Sequence, residues 1–369
     1  MKVLVTGANG FVGKNLIVHL REKGIEPVPY TREMKLYDLE AALNGVDFVF
    51  HLAGVNRPKD VTEFYANNKG LTEQLCDLIR ASGRPIPVLY TSSSQIKINN
   101  PYGVSKLAAE DALVTLEKDT NSPVYLYRLP NVFGKWSKPN YNSAVATFCH
   151  NIANDLPIQI NDPAAFIHLV YIDDVVKDFL RLLEEQPVGL VWPEVSPEYT
   201  VTVGALADQI RLFKASRESM VIEAVGTGFT RALYATYLSF LRPEQFSYAL
   251  TAHADSRGRF VEMLKTKDSG QFSFFTAHSG ITRGGHYHHS KNEKFLVVQG
   301  KVRFSFRHLV TGETYELLTD GEKPEVVETV PGWSHDITNI GDNEMIVLLW
   351  ANEIFDRQHP DTIPHKVSI

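Results

Sequence analysis

The sequence contains very few cysteines. Only Cys76 and Cys149 occur among 369 residues, which is too few for a disulfide framework, and their spacing does not suit a metal site. We therefore expect a reducing environment, with both cysteines in the core. The first residues, MKVLVTGANG, run directly into a predicted strand and a glycine turn and lack the features of a signal peptide. We expect a cytoplasmic protein.

Long apolar runs and basic clusters are also missing. No apolar stretch approaches the roughly 18 residues of a membrane helix, and the formal net charge of −6 comes without a long basic run. These absences argue against a membrane segment and against a nucleic-acid surface. An anionic small substrate held by a few arginines is still compatible with them. The composition, with 44% hydrophobic and 22% charged residues, is that of a globular protein.

The first half of the chain alternates two hydrophobic patterns. Short apolar runs such as KVLVTG, DFVFHLAG and PVLYTSS alternate with helical periodicity near 11–23, 62–81 and 103–118. Two more helical patterns follow near 203–217 and 229–241. This alternation predicts an α/β fold with a doubly wound parallel sheet covered by helices on both faces.

The pattern changes after Arg242-Pro243. Segments such as FLVVQGKVRFSFRH, EVVETV and EMIVLLW are short and partly alternating, and turn residues separate them. They predict an antiparallel all-β sandwich or barrel. A chain of 369 residues is long enough for two domains, which we place at 1–243 and 247–369.

The segment TGANGFVG follows the strand KVLV and opens a helix near Phe11. Glycines there let backbone amides approach a pyrophosphate, whose charge the helix N-terminus favours. An ordinary strand-to-helix turn is the alternative, but HLAG at 51–54, TSSS at 91–94 and Tyr102-Gly-Val-Ser-Lys106 favour a cofactor site. Tyr102 and Lys106 share one helix face, so the ammonium can lower the phenol pKa and hold the nicotinamide ribose during proton exchange. The predicted cofactor residues are Gly7, Asn9, Gly10, Phe11, Val12, Gly13, Leu52, Ala53, Gly54, Tyr102 and Lys106.

On these segments, residues 1–240 resemble the extended short-chain dehydrogenase/reductase family, whose members mostly act on nucleotide sugars. The resemblance implies a Rossmann-type fold, with Tyr102 as acid or base, Lys106 as its partner and a serine that polarises the substrate carbonyl. Counting along VLYTSS favours Ser93 for that serine, with Ser94 as the alternative. RLPNVFG at 128–134 is similar to a further family segment, which implies that Asn131 contacts the substrate. A turn-capping side chain is the alternative for Asn131.

The choice of cofactor depends on the residues after the second strand. An NAD enzyme usually offers a carboxylate there to the ribose hydroxyls, whereas Arg32 could pair with a 2′-phosphate. We therefore favour NADPH, with a solvated surface arginine as the alternative. By the family resemblance Asp38 contacts adenine, although it could equally cap the next helix.

The C-terminal half contains a metal-ligand set. His286 and His288 point to the same face of a predicted strand, where Glu293 and His335 can join them. Three nitrogens and one carboxylate suit a divalent ion, with zinc as the first choice and iron, manganese or nickel as alternatives. The spacing resembles the cupin pattern and implies a jelly-roll fold.

A second resemblance competes for His286. DSRGRFVE at 255–262 and GITRGGHY at 280–287 are similar to segments of the nucleotide-sugar 3,5-epimerases, which are also cupins. That resemblance implies His286 as a base, Lys294 in the active site, and Arg257 and Arg283 on substrate phosphates. Coordination occupies the lone pair that a base needs, so His286 cannot easily serve as both ligand and base. The presence of His288 and Glu293 favours the metal, and Lys294 then becomes a candidate for proton transfer or charge stabilisation. A solvated Lys294 and structural salt bridges of the two arginines are the alternatives.

Nearly the whole chain resembles a family of bifunctional capsular-polysaccharide enzymes of the UDP-N-acetyl-L-fucosamine pathway. The resemblance rests on the order of the two motif sets and on segments such as HLAGVNRP and ANEIFDRQHPDT. It implies a homodimer that epimerises C3 of a UDP-2-acetamido-2,6-dideoxy-4-ketohexose and then reduces C4 with NADPH to the L-talose derivative. Two alternatives stay open, a single-function 4-ketoreductase with a structural, metal-bound cupin dimerisation module, and a cofactor-responsive sensor without turnover.

Overall fold

The computed structural model describes residues 1–58, 60–255, 258–261, 263–268 and 270–367, with the backbone alone at 253–255 and 258–261. The chain forms two compact units, one of Met1–Ser143 with Phe166–Val201 and one of Ala144–Ala165 with Thr202–Ile369. The second unit therefore includes helices that precede the strands at the C-terminus. The domain limits 1–243 and 247–369 stay a prediction.

Helices and strands alternate in the first part of the chain, whereas strands predominate from residue 247 onward. The helices are α1 (Phe11–Glu22), α2 (Leu36–Leu43), α3 (Thr62–Phe64), α4 (Leu71–Ser82), α5 (Pro101–Thr120), α6 (Ala144–Ala153), α7 (Ile172–Glu185), α8 (Val203–Ser219) and α9 (Gly228–Leu238). A π-helical segment, Tyr65–Gly70, joins α3 to α4, and 3-10 turns lie at Ser94–Lys97 and Pro243–Gln245. The strands are β1 (Val3–Thr6), β2 (Val28–Tyr30), β3 (Phe48–His51), β4 (Val88–Ser93), β5 (Val124–Leu129), β6 (Asn131–Phe133), β7 (Phe166–Tyr171), β8 (Leu190–Val191), β9 (Glu198–Thr202), β10 (Val221–Ile222), β11 (Ser247–Ala249), β12 (Ala252–Asp255), β13 (Gly258–Val261), β14 (Lys265–Thr266), β15 (Gln271–Ala277), β16 (Thr282–Tyr287), β17 (Glu293–Gln299), β18 (Lys301–His308), β19 (Thr314–Asp320), β20 (Glu325–Glu328), β21 (Trp333–Asn339), β22 (Met345–Ala351) and β23 (Ile363–Pro364).

The first unit is built on a six-stranded parallel sheet of order β2-β1-β3-β4-β5-β8. Strands β1 and β3 are buried along their whole length, as expected for a sheet covered on both faces. Because β2 and β3 flank β1 on opposite sides, the strand order reverses there and opens a crevice at the carboxyl ends of β1 and β3. The predicted parallel α/β fold is confirmed.

The second unit contains two five-stranded antiparallel sheets. Their orders are β11-β20-β17-β22-β15 and β19-β18-β21-β16-β23, and every pairing within them is antiparallel. Aromatic side chains pack between the sheets, with Phe295 of β17 against Phe304 of β18 at 5.8 Å between ring centroids. The predicted all-β cupin architecture is confirmed. Helices α6, α8 and α9 pack on one another in the same unit.

Both cysteines are buried and free, as the sequence predicts. Burial raises the pKa of the Cys76 thiol to about 12, so this side chain behaves as an inert core group. Across the described part of the chain, no helix combines the length and the apolar character that crossing a bilayer requires.

Candidate active sites

The crevice of the first unit begins with the predicted glycine turn. Gly7 has a φ of +68°, and a Cβ there would lie 2.8 Å from the backbone nitrogen of Ala53. At Gly13 a Cβ would lie 2.4 Å from the Gly7 carbonyl oxygen. Glycine is therefore required at both positions. Gly10 precedes α1 without any side-chain cap, which leaves the N-terminal amides of α1 available to a phosphate.

A cavity of about 430 Å³ lies at this turn, between the segments that follow β1, β2 and β3. Seven predicted cofactor residues line it, namely Gly7, Asn9, Gly10, Arg32, Leu52, Ala53 and Gly54. Phe11, Val12 and Gly13 lie in the first turn of α1 beside it. The glycine cradle and the uncapped helix fit a dinucleotide cofactor.

Arg32 and Asp38 have different surroundings. The Arg32 guanidinium is 74% exposed and lies 3.3 Å from a carboxylate oxygen of Glu63, so it can reorient toward a ligand. The Asp38 carboxylate accepts a hydrogen bond of 2.7 Å from the backbone N–H of Lys35, at the start of α2. This bond is the helix-capping alternative, and Asp38 is not among the residues that line the cavity.

Tyr102 and Lys106 lie on α5 beside the carboxyl end of β4. Burial raises the pKa of the Tyr102 phenol, and a hydrogen bond from Ser93 partly offsets this increase. Ser93 is buried whereas Ser94 is exposed, so the geometry favours Ser93 as the hydroxyl that works with Tyr102. The buried Lys106 ammonium donates to the Thr91 carbonyl at 2.8 Å, and burial lowers its pKa to about 8.

Asn68 was not predicted from the sequence, although it braces these residues. Its side-chain oxygen accepts from the Val55 backbone N–H at 2.7 Å, and its amide donates to the Ser105 hydroxyl at 2.9 Å. Ser105 in turn donates to the Tyr102 carbonyl at 2.8 Å. Asn68 lies in the π-helical segment, a distortion that often occurs at functional sites.

The proposed substrate residue Asn131 starts β6. Its side-chain amide donates to the His168 carbonyl of β7 at 3.1 Å, which is a bond between neighbouring strands rather than a turn cap. The side chain is exposed. Contact with substrate stays a prediction for this residue.

The four predicted metal ligands meet in the second unit. The candidate ligand atoms of His286, His288, Glu293 and His335 all lie within 4.8 Å of one another. His288 Nε2 is 3.1 Å from Glu293 Oε2, and His335 Nε2 is 3.7 Å from the same oxygen. Among the described residues, neither ring nitrogen of the buried His335 has a hydrogen-bond partner. Such a buried polar group is costly unless a ligand satisfies it, so the cluster fits a divalent metal ion.

The pKa shifts of His286, His335 and Glu293 favour the forms of these three side chains that bind a metal. Burial lowers the pKa of His286 to about 4 and that of His335 well below its usual value, and neighbouring histidines add to both effects. For Glu293, burial acts to raise the pKa, but His288 and His335 outweigh it and hold the pKa well below the usual range. Neutral imidazoles beside an ionised carboxylate are the states that bind a metal.

Lys294 does not join this cluster. Neighbouring residues of a strand point to opposite faces, and the Lys294 ammonium forms an ion pair with Glu328 and donates to the Tyr248 hydroxyl at 3.1 Å. Glu328 also pairs with Arg217 of α8 and accepts from the Tyr234 hydroxyl of α9 at 2.9 Å. The Lys294 side chain is 2% exposed, so the solvated alternative does not describe it either. The Lys294 ammonium is therefore held by partners on the face of β17 opposite Glu293.

Of the two arginines that the epimerase resemblance selects, the structure describes only Arg283. Arg283 is exposed on β16, where its guanidinium donates to the Thr276 carbonyl at 3.1 Å and lies over the Phe275 ring. Contact of Arg283 with substrate phosphates stays a prediction. Arg257 lies outside the described residues, and its role stays a prediction.

Several residues around the metal cluster were missed by sequence reasoning. Asp361, Asn352 and Thr329 hold the turn between His288 and Glu293. They follow their partners in the turn by 72, 60 and 36 residues respectively, and no motif spacing marks them. The sequence shows the close spacing of the ligands His288 and Glu293. The side chains that support them are brought near only when the chain folds.

Comparison with known proteins agrees with both units. The NAD dependent epimerase/dehydratase family matches residues 3–192, and the polysaccharide biosynthesis C-terminal domain matches residues 253–363. The chain is 61% identical over 98% of both sequences to a Pseudomonas aeruginosa protein named UDP-2-acetamido-2,6-beta-L-arabino-hexul-4-ose reductase. It is 42% identical to the structure of the capsular polysaccharide assembling protein CapF from Staphylococcus aureus, with a TM-score of 0.69 and full coverage of both chains.

More distant structures share the fold of part of the chain. One is a Bacillus cereus UDP-glucuronic acid 4-epimerase solved with NAD, at 21% identity, a TM-score of 0.53 and coverage of 58% of this chain and 84% of that one. The predicted resemblance to the capsular-polysaccharide enzymes is confirmed by the full-length match to CapF. Because the family match includes the glycine turn, Tyr102 and Lys106, the chain belongs to the NAD dependent epimerase/dehydratase family.

Proposed function

We propose that this protein is a bifunctional nucleotide-sugar enzyme. Its cupin part epimerises C3 of a UDP-2-acetamido-2,6-dideoxy-4-ketohexose, and its Rossmann part then reduces the C4 ketone to UDP-2-acetamido-2,6-dideoxy-L-talose. The main support is the assembly of Ser93, Tyr102 and Lys106 beside the glycine-lined crevice. The name of the Pseudomonas aeruginosa relative, a reductase of a UDP-linked 4-keto sugar, supports the same substrate class.

In the proposed reduction, NADPH bound in the glycine-lined crevice would supply the hydride for C4. The Tyr102 phenol gives its proton to the carbonyl oxygen, while Ser93 donates a hydrogen bond to that oxygen and polarises the ketone. The Lys106 ammonium stabilises the phenolate that Tyr102 leaves behind. Arg32, at the cavity wall and free to turn from Glu63, favours NADPH because its guanidinium can bind a 2′-phosphate.

In the proposed epimerisation, His286, His288, Glu293 and His335 hold a divalent ion, with zinc as the first choice. Inversion moves the C3 proton to a general base in the pocket and returns a proton from solvent to the opposite face of C3. The bound ion would supply Lewis-acid stabilisation of the negative charge that develops on the C4 oxygen in between. We assign His286 to coordination, since its ring lies 4.6 Å from the His335 ring and 5.0 Å from the His288 ring, measured between centroids. Lys294 has no part in this mechanism because its ammonium is paired on the other face of β17.

The order of the two reactions follows from the chemistry of the ketone. The C4 carbonyl acidifies the hydrogen at C3, and reduction removes that carbonyl. Epimerisation must therefore come first, and hydride addition makes the inverted configuration permanent. We also propose that the protein is a homodimer, as the family resemblance implies, and that it works in the cytoplasm.

Incubation with the 4-keto UDP-sugar in deuterated water tests both reactions. Without NADPH, we expect deuterium at C3 in the recovered ketone, measured by NMR. With NADPH, we expect oxidation of the cofactor, which is measured by its absorbance. The sugar product should be UDP-2-acetamido-2,6-dideoxy-L-talose with deuterium at C3. A reduced product without inversion or deuterium at C3 would refute the epimerase half, and unchanged absorbance would refute the reductase half.

A second candidate function has one observation in its favour. Since Lys294 does not reach the metal cluster, the cupin could be a structural, metal-bound dimerisation module attached to a 4-ketoreductase. Product stereochemistry distinguishes the two functions. A reductase with a structural cupin leaves C3 unchanged, so the wild type and the His288→Ala variant would both yield a reduced sugar that keeps the C3 configuration of the substrate.

A further inference from the structure

The turn between two of the metal ligands is held by side chains from elsewhere in the fold. Five consecutive backbone N–H groups, at residues 289–293, each donate to a side-chain oxygen. The Asp361 carboxylate accepts the first three, with distances of 2.8, 2.8 and 2.7 Å. Asn352 accepts from Asn292 at 2.9 Å, and Thr329 accepts from Glu293 at 2.9 Å. Each of these five N–H groups is therefore bonded, so a change in the conformation of the turn would break hydrogen bonds.

Asp361 also contacts a ligand directly. His288 Nδ1 lies 2.6 Å from the Asp361 carbonyl oxygen, and because a carbonyl only accepts, Nδ1 must be the donor. In the neutral ring this leaves Nε2 with its lone pair, pointing at Glu293 Oε2 from 3.1 Å. Two electron-rich atoms so close are mutually repulsive unless a proton or a metal ion lies between them. The bond from His288 to Asp361 thus selects the tautomer that coordinates a metal.

The backbone of Asp361 gives independent support. Its φ is +37°, in the left-handed region that costs a non-glycine residue of the order of 1 kcal/mol or more. Such a conformation persists where the surroundings impose it. In this protein it lets one residue present its carboxylate to the turn and its carbonyl to His288.

We propose that Asp361 is a positioning residue for the metal site, acting on the turn through its carboxylate and on His288 through its carbonyl. The inference rests on the metal-binding part of the proposed function. Asp361 does not itself coordinate the ion. Its contribution is to fix the Nε2 lone pair of His288 and the approach of Glu293, so its loss weakens metal binding while the fold is kept.

Two substitutions separate the carboxylate from the backbone conformation. Asp361→Asn keeps the size of the side chain, tolerates a positive φ and retains one acceptor oxygen. It replaces the second carboxylate oxygen, which accepts hydrogen bonds from the turn, by an NH₂ group that cannot accept them. Asp361→Gly relieves the backbone and removes the side chain altogether. The matched control is Asp356→Asn in the same segment, because the Asp356 carboxylate is exposed and accepts locally from the Gln358 N–H at 2.8 Å.

The probes are Zn²⁺ and Co²⁺ added to the full chain after removal of metal. We expect Asp361→Asn and Asp361→Gly to weaken Zn²⁺ affinity about 10–100-fold in competition with a chromophoric chelator, the usual cost of losing such a support. The visible absorption of the Co²⁺ form should also change, and Asp356→Asn should match the wild type in both measurements. The thermal midpoint of the metal-free Asp361→Asn protein should stay close to that of the wild type.

Three results would overturn the proposal. If both Asp361 variants bind Zn²⁺ as tightly as Asp356→Asn, Asp361 does not position the site, and the proposed function stands without it. If metal-free Asp361→Asn fails to fold, the residue is structural rather than positioning. If the wild type itself binds neither ion, the metal-binding part of the proposed function is wrong, and the role of Asp361 falls with it.

Discussion

At the scale of single residues, the chemistry of the first unit depends on the charge of Lys106. Burial lowers its pKa to about 8, whereas burial raises that of Tyr102, so near neutral pH the lysine is charged and the tyrosine carries its proton. Above about pH 8 Lys106 loses the charge that stabilises the Tyr102 phenolate. We therefore expect kcat/KM for ketone reduction to fall as the pH rises through about 8, measured by NADPH oxidation.

The Lys106→Arg variant is the matched control for this pH dependence. A guanidinium keeps its proton throughout this range, so its profile should show the decline at a higher pH, at a lower absolute rate. An unchanged position of the decline in Lys106→Arg would mean that another group titrates there.

A second prediction at this scale decides the role of His286. If His286 is a metal ligand, His286→Ala and His288→Ala should both lower the bound zinc per chain, measured by mass spectrometry of the metal after dialysis. If His286 is the base, only His288→Ala should do so. We expect loss in both variants, because the ligand atoms of all four residues lie within 4.8 Å of one another. If His286→Ala keeps the zinc content of the wild type but no longer incorporates deuterium at C3, His286 is the base instead.

At the scale of secondary-structure elements, β17 carries a metal ligand on one face and a buried ion pair on the other. Lys294 pairs with Glu328, which is 1% exposed and also bound by Arg217. Removal of one partner from such a network leaves a buried charge without full compensation. We expect Lys294→Met to lower the free energy of unfolding of the second unit by about 3–5 kcal/mol. Urea denaturation, followed through the unfolding transition of that unit, measures the change.

Lys267→Met is the control for Lys294→Met, because Lys267 forms an ion pair with Glu223 at 2.8 Å while 52% exposed. Loss of such a surface pair should cost at most about 1 kcal/mol. Lys294→Met should also retain its zinc and its C3 deuteration. A stable Lys294→Met protein that no longer deuterates C3 would return Lys294 to the active site.

The same strand shows how far the sequence predicts the site. The structure brings together the four residues that the ligand spacing selects, His286, His288, Glu293 and His335. Alternation along β17 places Glu293 and Lys294 on opposite faces, although the sequence favours Lys294 as a candidate for proton transfer at the metal site. Alternation alone does not reveal that helices α8 and α9 cover the face of the sheet that carries Lys294, where they bind its partner Glu328. A charged residue on that face was therefore predicted to be either catalytic or solvated.

The elements of the first unit were easier to predict, because their signals are local. A glycine turn between a buried strand and an amphipathic helix is a feature of consecutive residues, and α1 and α5 begin within about two residues of the predicted positions. Asp361 is separated from the turn that it holds by about 70 residues, and the antiparallel pairing of β16 with β23 brings the two segments together. Contacts of this kind have no periodic signal in a single sequence.

At the scale of the whole molecule, each of the two sites is built from residues of its own compact unit. A substitution in one site should therefore leave the other site intact. Tyr102→Phe should exchange the C3 hydrogen for deuterium but not oxidise NADPH, since it lacks the proton that reduction requires. His288→Ala should lose the exchange, and it should still bind NADPH with wild-type affinity.

Mixing these two variants tests whether the intermediate is released between the reactions. Each variant supplies the step that the other lacks, so we expect the mixture to form the C3-inverted, reduced sugar that neither forms alone at a comparable rate. Because the inverted ketone would have to diffuse from one chain to another, product formation should show a lag that shortens as the concentration of Tyr102→Phe is raised. NADPH oxidation gives the time course, and NMR gives the configuration at C3. A mixture that stays inactive, although each variant keeps its own partial reaction, would mean that the inverted ketone is not released in a usable form.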